Sequence, residues 1–175
     1  MTQHPKHLEV TRAIDLQLSN DRFNAVTRTS ANKYQPWYAM LLSTMALLAA
    51  EEKVIFAHSD YEPTMAKVRI VVFTTNLVLV ADIDPNVDGV PVVNVARPRS
   101  LVGMRRSASE RIDARESRVY EWPGTLNLVL TYRDFTDSIE IVPYGASHYA
   151  IDHPTPIVTL IEGLSADLAN SRAIS

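Results

Sequence analysis

Seven arginines fall within one segment, RPRSLVGMRRSASERIDARESR (97–118): Arg97, Arg99, Arg105, Arg106, Arg111, Arg115 and Arg118, set against Glu110, Asp113 and Glu116. The segment carries a local charge of +4 in a chain whose formal net charge is −3, so the rest of the protein is acidic. Guanidinium groups present paired donors in one plane and suit phosphate and carboxylate oxygens. Arg99, Arg105, Arg106 and Arg111 are therefore candidate ligands of a phosphate or other small anion. The same pattern fits a charged strand pair and loop whose arginines meet the interleaved acids, or the acidic surface of a protein partner or second subunit. No aromatic residue interleaves the arginines, so the segment lacks a base-stacking platform and nucleic acid is not the expected partner.

The second cluster able to do chemistry is SHYAIDH, which gathers Ser147, His148, Asp152 and His153. These are the residue types of a hydrolytic triad, and a hydrolase is the remote alternative they raise. Sequence neighbours seldom form a triad, because nucleophile, base and orienting acid converge from separate elements, and no Gly-x-Ser-x-Gly elbow is present. The run DIDPNVDG (82–89) has the acids of a calcium loop, but its glycine is misplaced and no glutamate closes the frame, so it reads as a turn. With five glycines the chain has no phosphate-binding loop, and with no cysteine it has neither disulfide nor thiolate chemistry. No catalytic residue, metal ligand or cofactor is expected.

The elements that must position these residues follow from pattern. The chain of 175 residues is 46% hydrophobic and 21% charged, enough for a proper core. MTQHPKHLEVTRAIDLQL (1–18) lacks the apolar stretch of a secretory signal, which points to the cytoplasm. Residues 6–18 fit a strand by alternation (Leu8, Val10, Ile14, Leu16, Leu18) and a helix by Leu8, Ala13, Ile14 and Leu18. A short helix opens at Asn20-Asp21. WYAMLLSTMALLAA (37–50) is an uncharged run shorter than the about 20 residues of a membrane span. It reads as a buried or partner-facing helix from Pro36, closed by Glu51-Glu52-Lys53, that packs on the sheet domain or on its own copy.

Strands follow at 53–59, 67–74, 77–82, 90–96, 99–106, 111–122, 126–132 and 138–142. Asn76, tolerant of the left-handed conformation, is expected to turn the hairpin within VRIVVFTTNLVLVAD (68–82). TPIVTLIEGLSADLAN (155–170) is an amphipathic helix, with Ile157, Leu160, Ile161, Leu164 and Leu168 on one face. Trp37, Tyr120, Trp122 and Tyr132 read as core or interface aromatics.

About seven antiparallel strands and then one amphipathic helix resemble the bacterial pleckstrin-homology-like family. The likeness is carried by EEKVIFAHS, VRIVVFTTNLVLVAD, RPRSLVGM, LNLVLTYRDFTDSIEIV and PIVTLIEGLSADLA, across residues 51–170. It implies an α+β fold: an antiparallel β-barrel over 53–175 capped by the C-terminal helix, with 1–52 an N-terminal helical extension docked on the barrel or on a second subunit. It also implies a non-enzymatic intracellular binding or assembly module that recognises protein or peptide, or self-associates into a homo-oligomer. Lipid-binding members place bases around the first inter-strand loop. Here that loop carries Asp60 and Glu62, Lys67 and Arg69 follow it on one strand face, and Lys53 lies about 20 Å away along an extended strand.

Overall fold

A computed structural model describes residues 5–19, 21–62, 67–87, 89–108, 126–142 and 156–173. The chain divides into two compact units, Met1–Val95 and Ala96–Ser175.

The first unit opens with three helices, α1 (Pro5–Leu18), α2 (Asp21–Thr27) and α3 (Pro36–Ala49). They precede the strands β1 (Val54–Glu62), β2 (Lys67–Thr74) and β3 (Val78–Ile83), and β4 (Asn94–Ala96) follows at the junction of the units. The sheet has the order β1-β2-β3-β4, with β1–β2 and β2–β3 antiparallel. Helix spacing wins over alternation in 6–18: Val10, Ile14 and Leu18 recur every fourth residue and are buried, whereas Leu16, which made the strand pattern, is 79% exposed. α1 packs on α3 and on β1. Leu41, Leu42, Met45, Ala46 and Ala49 of α3 join these residues against Ala57, Val68, Ile70, Val72, Leu79, Ala81 and Ile83 of the sheet.

The other face of the same sheet is buried as well, through Phe56, His58, Val71, Phe73, Val78 and Val80. Burial on both faces explains the unbroken apolar run of β2, which alternation alone does not. A bulge between Val54 and Phe56 interrupts β1, and the amide of Ala57 beside it donates to the side chain of Gln17 on α1 at 2.8 Å.

The hairpin between β2 and β3 forms where expected, but Asn76 is not in the left-handed region. Among the described non-glycine residues only Asn32 and Ala50 have positive φ, 56° and 53°. The turn is held instead by the Glu52 carboxylate, which accepts from Thr74 Oγ1, from the Asn76 amide at 2.9 Å and from Asn76 Nδ2 at 3.4 Å. The strand expected over 90–96 shrinks to β4, because the proline-containing segment before it leaves Val90 and Val92 exposed.

The second unit begins with a 3₁₀ turn (Pro98–Ser100) and continues as β5 (Leu101–Ala108), β6 (Leu126–Tyr132), β7 (Ile139–Ile141) and α4 (Pro156–Ala173). Its sheet is antiparallel in the order β5-β6-β7. Leu101, Leu128, Leu130, Tyr132, Ile139 and Ile141 are buried, as are Ile157, Leu160 and Leu164 of α4, which lies against β5 and the 3₁₀ turn. The expected strand 111–122 lies outside the described residues.

The mixed α+β class therefore holds, with helices before and after seven strands. The strands build two separate sheets, of four and three, and no closed barrel forms among the described residues. The ladders stop at β4 and β7, each only three residues long. No helix among the described residues is long and apolar enough to cross a membrane.

Candidate functional site

The arginine segment is distributed by the geometry of a strand and a turn. Arg97 and Arg99 flank and enter the 3₁₀ turn and are exposed, with the Arg97 carbonyl accepting from the amide and hydroxyl of Ser100 at 2.9 and 2.8 Å. Arg105 and Arg106 are exposed neighbours on β5. Arg105 pairs with Val129, which in turn pairs with Glu140, while Arg106 pairs with Leu128 and so with Ile141. Consecutive strand residues point to opposite faces. Arg105 thus shares the face of Glu140, whose Oε1 accepts from Asn127 Nδ2 at 2.7 Å, and Arg106 shares the apolar face. Neither makes an ion pair with a described residue. Among the described strands β5 is an outer one of its sheet, and charged side chains on such a strand discourage edge-to-edge pairing. Arg111, Arg115 and Arg118 lie outside the described residues, as does the whole Ser147–His153 cluster.

The bases near the first inter-strand loop are placed as the spacing requires. Lys67 and Arg69 share a face of β2, but Arg69 grips Asp82 across the β2–β3 pair through two bonds of 2.6 and 3.0 Å. In the acidic run at 82–89, Asp84 Oδ1 accepts the amide of Asn86 at 2.9 Å, which makes that aspartate a turn former.

A second surface comes from α3. Its core side is wholly buried, through Tyr38, Leu41, Leu42, Met45, Ala46 and Ala49. Its outer side carries Met40 at 40% exposure and Leu47 at 68%, with exposed Ser43 and half-buried Thr44 between them. Met40, Thr44 and Leu47 stand at i, i+4 and i+7, one stripe on the helix surface. The hydroxyls of Ser43 and Thr44 donate back to the carbonyls of Ala39 and Met40 at 2.8 and 2.9 Å. No charged residue interrupts residues 36–49. Where α3 and β1 approach the start of α1, a cavity of about 440 Å³ is lined by Lys6, Glu9, Val10, Glu51 and Lys53 among others, and Lys6 pairs with Glu51 across its rim.

Reasoning from pattern missed a polar cluster inside the helical layer. The Asp15 carboxylate accepts from Arg28 Nη2 through both oxygens, at 3.0 and 2.8 Å, from the Tyr34 hydroxyl at 2.8 Å and from the Tyr38 hydroxyl at 3.0 Å. The Arg28 guanidinium also lies 4.1 Å from the centre of the Tyr34 ring. Burial, with the neighbouring Asp15 charge adding to it, pushes both phenols above their ordinary range. Neutral phenols remain donors, so the cluster is a fastener between α1, the loop after α2, and α3. Its members are spread over 24 residues with no motif spacing, which is why sequence offers no signal for it.

Two further buried polar groups stand out. His58, on the sheet face beside Phe56 (ring centroids 6.3 Å apart, nearly parallel), is held below its ordinary pKa by burial, partly offset by Asp60. The Tyr132 hydroxyl is buried with no hydrogen-bond partner among the described residues, and burial and then Asp167 raise its pKa. No group of three or more metal-ligating residues is assembled among the described residues. No family model matches the sequence, and comparison with curated proteins and with solved structures finds no match.

Proposed function

We propose that this chain is a non-enzymatic intracellular binding and assembly module of pleckstrin-homology-like type, acting through protein recognition or self-association, with α3 as its contact element. The order of a four-stranded antiparallel sheet, a three-stranded one and a C-terminal amphipathic helix supports the family reading. The observation that carries the contact reading is the outer stripe of α3. An uncharged helix with its core side fully buried still leaves Met40 and Leu47 in water, and apolar side chains clustered on one helix face are what a protein partner covers.

The test is native mass spectrometry of the purified chain and of Leu47→Glu, each repeated under denaturing conditions. A mass that is a multiple of the chain and falls to one chain in the variant supports the reading. A multiple unaffected by the substitution counts against α3.

A second reading, a small anionic-ligand or phosphate-binding domain, draws on exposed Arg105 and Arg106, which pair with no described acid and offer one guanidinium to each face of β5, and on Arg99 in the turn before that strand. Arg111 completes the set by sequence. Extra mass that leaves on denaturation would favour it.

A further inference from the structure

We infer that the occupant of the outer α3 face is a second copy of this chain, docked as an antiparallel α3–α3 pair about a two-fold axis passing between Ser43 and Thr44. This deepens, and rests on, the reading of α3 as the contact element.

The stripe is self-complementary about that point. Met40 and Leu47 lie equally far from it in sequence, so the axis sets Met40 of each copy against Leu47 of the other. An isologous contact requires such reciprocity. The residues at the crossing are Ser43 and Thr44, small enough to let two helices approach to the usual interaxial distance of about 8–10 Å. Their hydroxyls already donate to Ala39 and Met40 within the helix, so covering them strands no donor.

The helix ends select the antiparallel sense. α3 begins without help: Gln35 makes no side-chain cap and the first turn holds no acid. Past its other end stand Glu51 and Glu52. The two-fold axis brings Glu51 of one copy, which keeps Lys6 of its own chain as a partner, level with Pro36 of the other, a carboxylate beside the positive end of the helix dipole. A parallel pair would align the dipoles and set Glu51 against Glu51. The charge pattern also argues against a membrane surface, since an interfacial helix carries basic residues on its polar face and α3 has none. The helix spans only about 21 Å at 1.5 Å per residue, so the dimer should be concentration-dependent.

The chain has no cysteine, which makes single-cysteine crosslinking clean. Sedimentation velocity of the wild-type chain and Leu47→Glu across a range of concentrations establishes association. Mild oxidation of Thr44→Cys, Leu47→Cys, and a mixture of Met40→Cys with Leu47→Cys then reads the geometry. Circular-dichroism melts confirm that every variant is folded. Across the axis Thr44 is offset from its own copy by about 1.5 Å along the helix and Leu47 from its own by about 10 Å.

The expected result is a wild-type dimer lost in Leu47→Glu, with covalent dimer from Thr44→Cys alone and from the Met40→Cys and Leu47→Cys mixture, several-fold above Leu47→Cys alone. Equal self-crosslinking at Thr44 and Leu47 would overturn the antiparallel pairing while leaving α3 as the contact element. A wild-type chain that stays single at every concentration would overturn self-docking. A dimer indifferent to Leu47→Glu would overturn the α3 reading itself.

Discussion

The Tyr38 hydroxyl on α3 donates to the Asp15 carboxylate on α1 at 3.0 Å, and with Tyr34 and Arg28 it encloses that carboxylate in four hydrogen bonds from three side chains. The cluster fixes how α1 lies on α3, and hence which face of α3 turns outward. Asp15→Ala removes the acceptor and leaves a partly buried arginine without its acid. The expected loss is about 2–4 kcal/mol, measured by urea unfolding, since the group retains some solvent. Asp15→Asn keeps an acceptor for one phenol and should lose less. A midpoint unchanged in both variants would show that the cluster is incidental to stability.

Glu52 organises the β2–β3 turn from outside the hairpin. Glu52→Ala should cost about 1–2 kcal/mol and raise amide exchange at Asn76, whose N–H loses its acceptor. Asn76→Gly tests the alternative in which the turn needs left-handed backbone. It should weaken the hairpin, not strengthen it, because Asn76 has no positive φ to relieve.

His58 makes stability depend on pH with a definite sign. Its pKa is lowered in the folded chain, so the unfolded chain takes up the proton first as pH falls. Its neutral form contributes stability that is complete above the unfolded value of about 6.5 and is lost as pH drops through the folded value. Urea midpoints at pH 7.5 and pH 5.5 should differ less in His58→Gln than in the wild-type chain. An identical difference in both would assign the pH dependence to other groups.

Tyr132 carries a buried hydroxyl that no described residue satisfies. Tyr132→Phe keeps the ring and its edge-on contact with Phe135 (centroids 5.7 Å apart), and removes the orphan. The variant should be neutral to stabilised by about 1 kcal/mol in thermal or chemical unfolding. A clear destabilisation would mean that the hydroxyl has a partner in solution.

Arg105 and Arg106 face opposite sides of β5, which makes single substitutions informative. On the anion reading, titration with inorganic pyrophosphate at low salt should weaken roughly five-fold in Arg105→Ala or Arg106→Ala, whichever faces the ligand, equivalent to about 1 kcal/mol. The other variant should bind normally. Binding untouched by both substitutions would remove this strand from the anion site.

Much of the secondary structure was legible in the sequence because its signals are local. The β2–β3 hairpin, β6 and the C-terminal helix declare themselves by period, by flanking turn residues and by proline at a first helical position. That α3 is an uncharged helix is equally visible, but apolar residues surround it, so which face turns outward is decided by its packing. Residues 6–18 stayed ambiguous because Leu8 and Leu16, exposed in the fold, supplied a false alternation that only burial separates from the true stripe of Val10, Ile14 and Leu18. Tertiary structure alone decided that Arg105 and Arg106 part company, that Glu52 reaches the Asn76 turn, and that Asp15 collects Arg28, Tyr34 and Tyr38. Each of these depends on strand register or on helices meeting across long stretches of chain, and residue types read in order carry no record of which distant groups come within hydrogen-bonding reach.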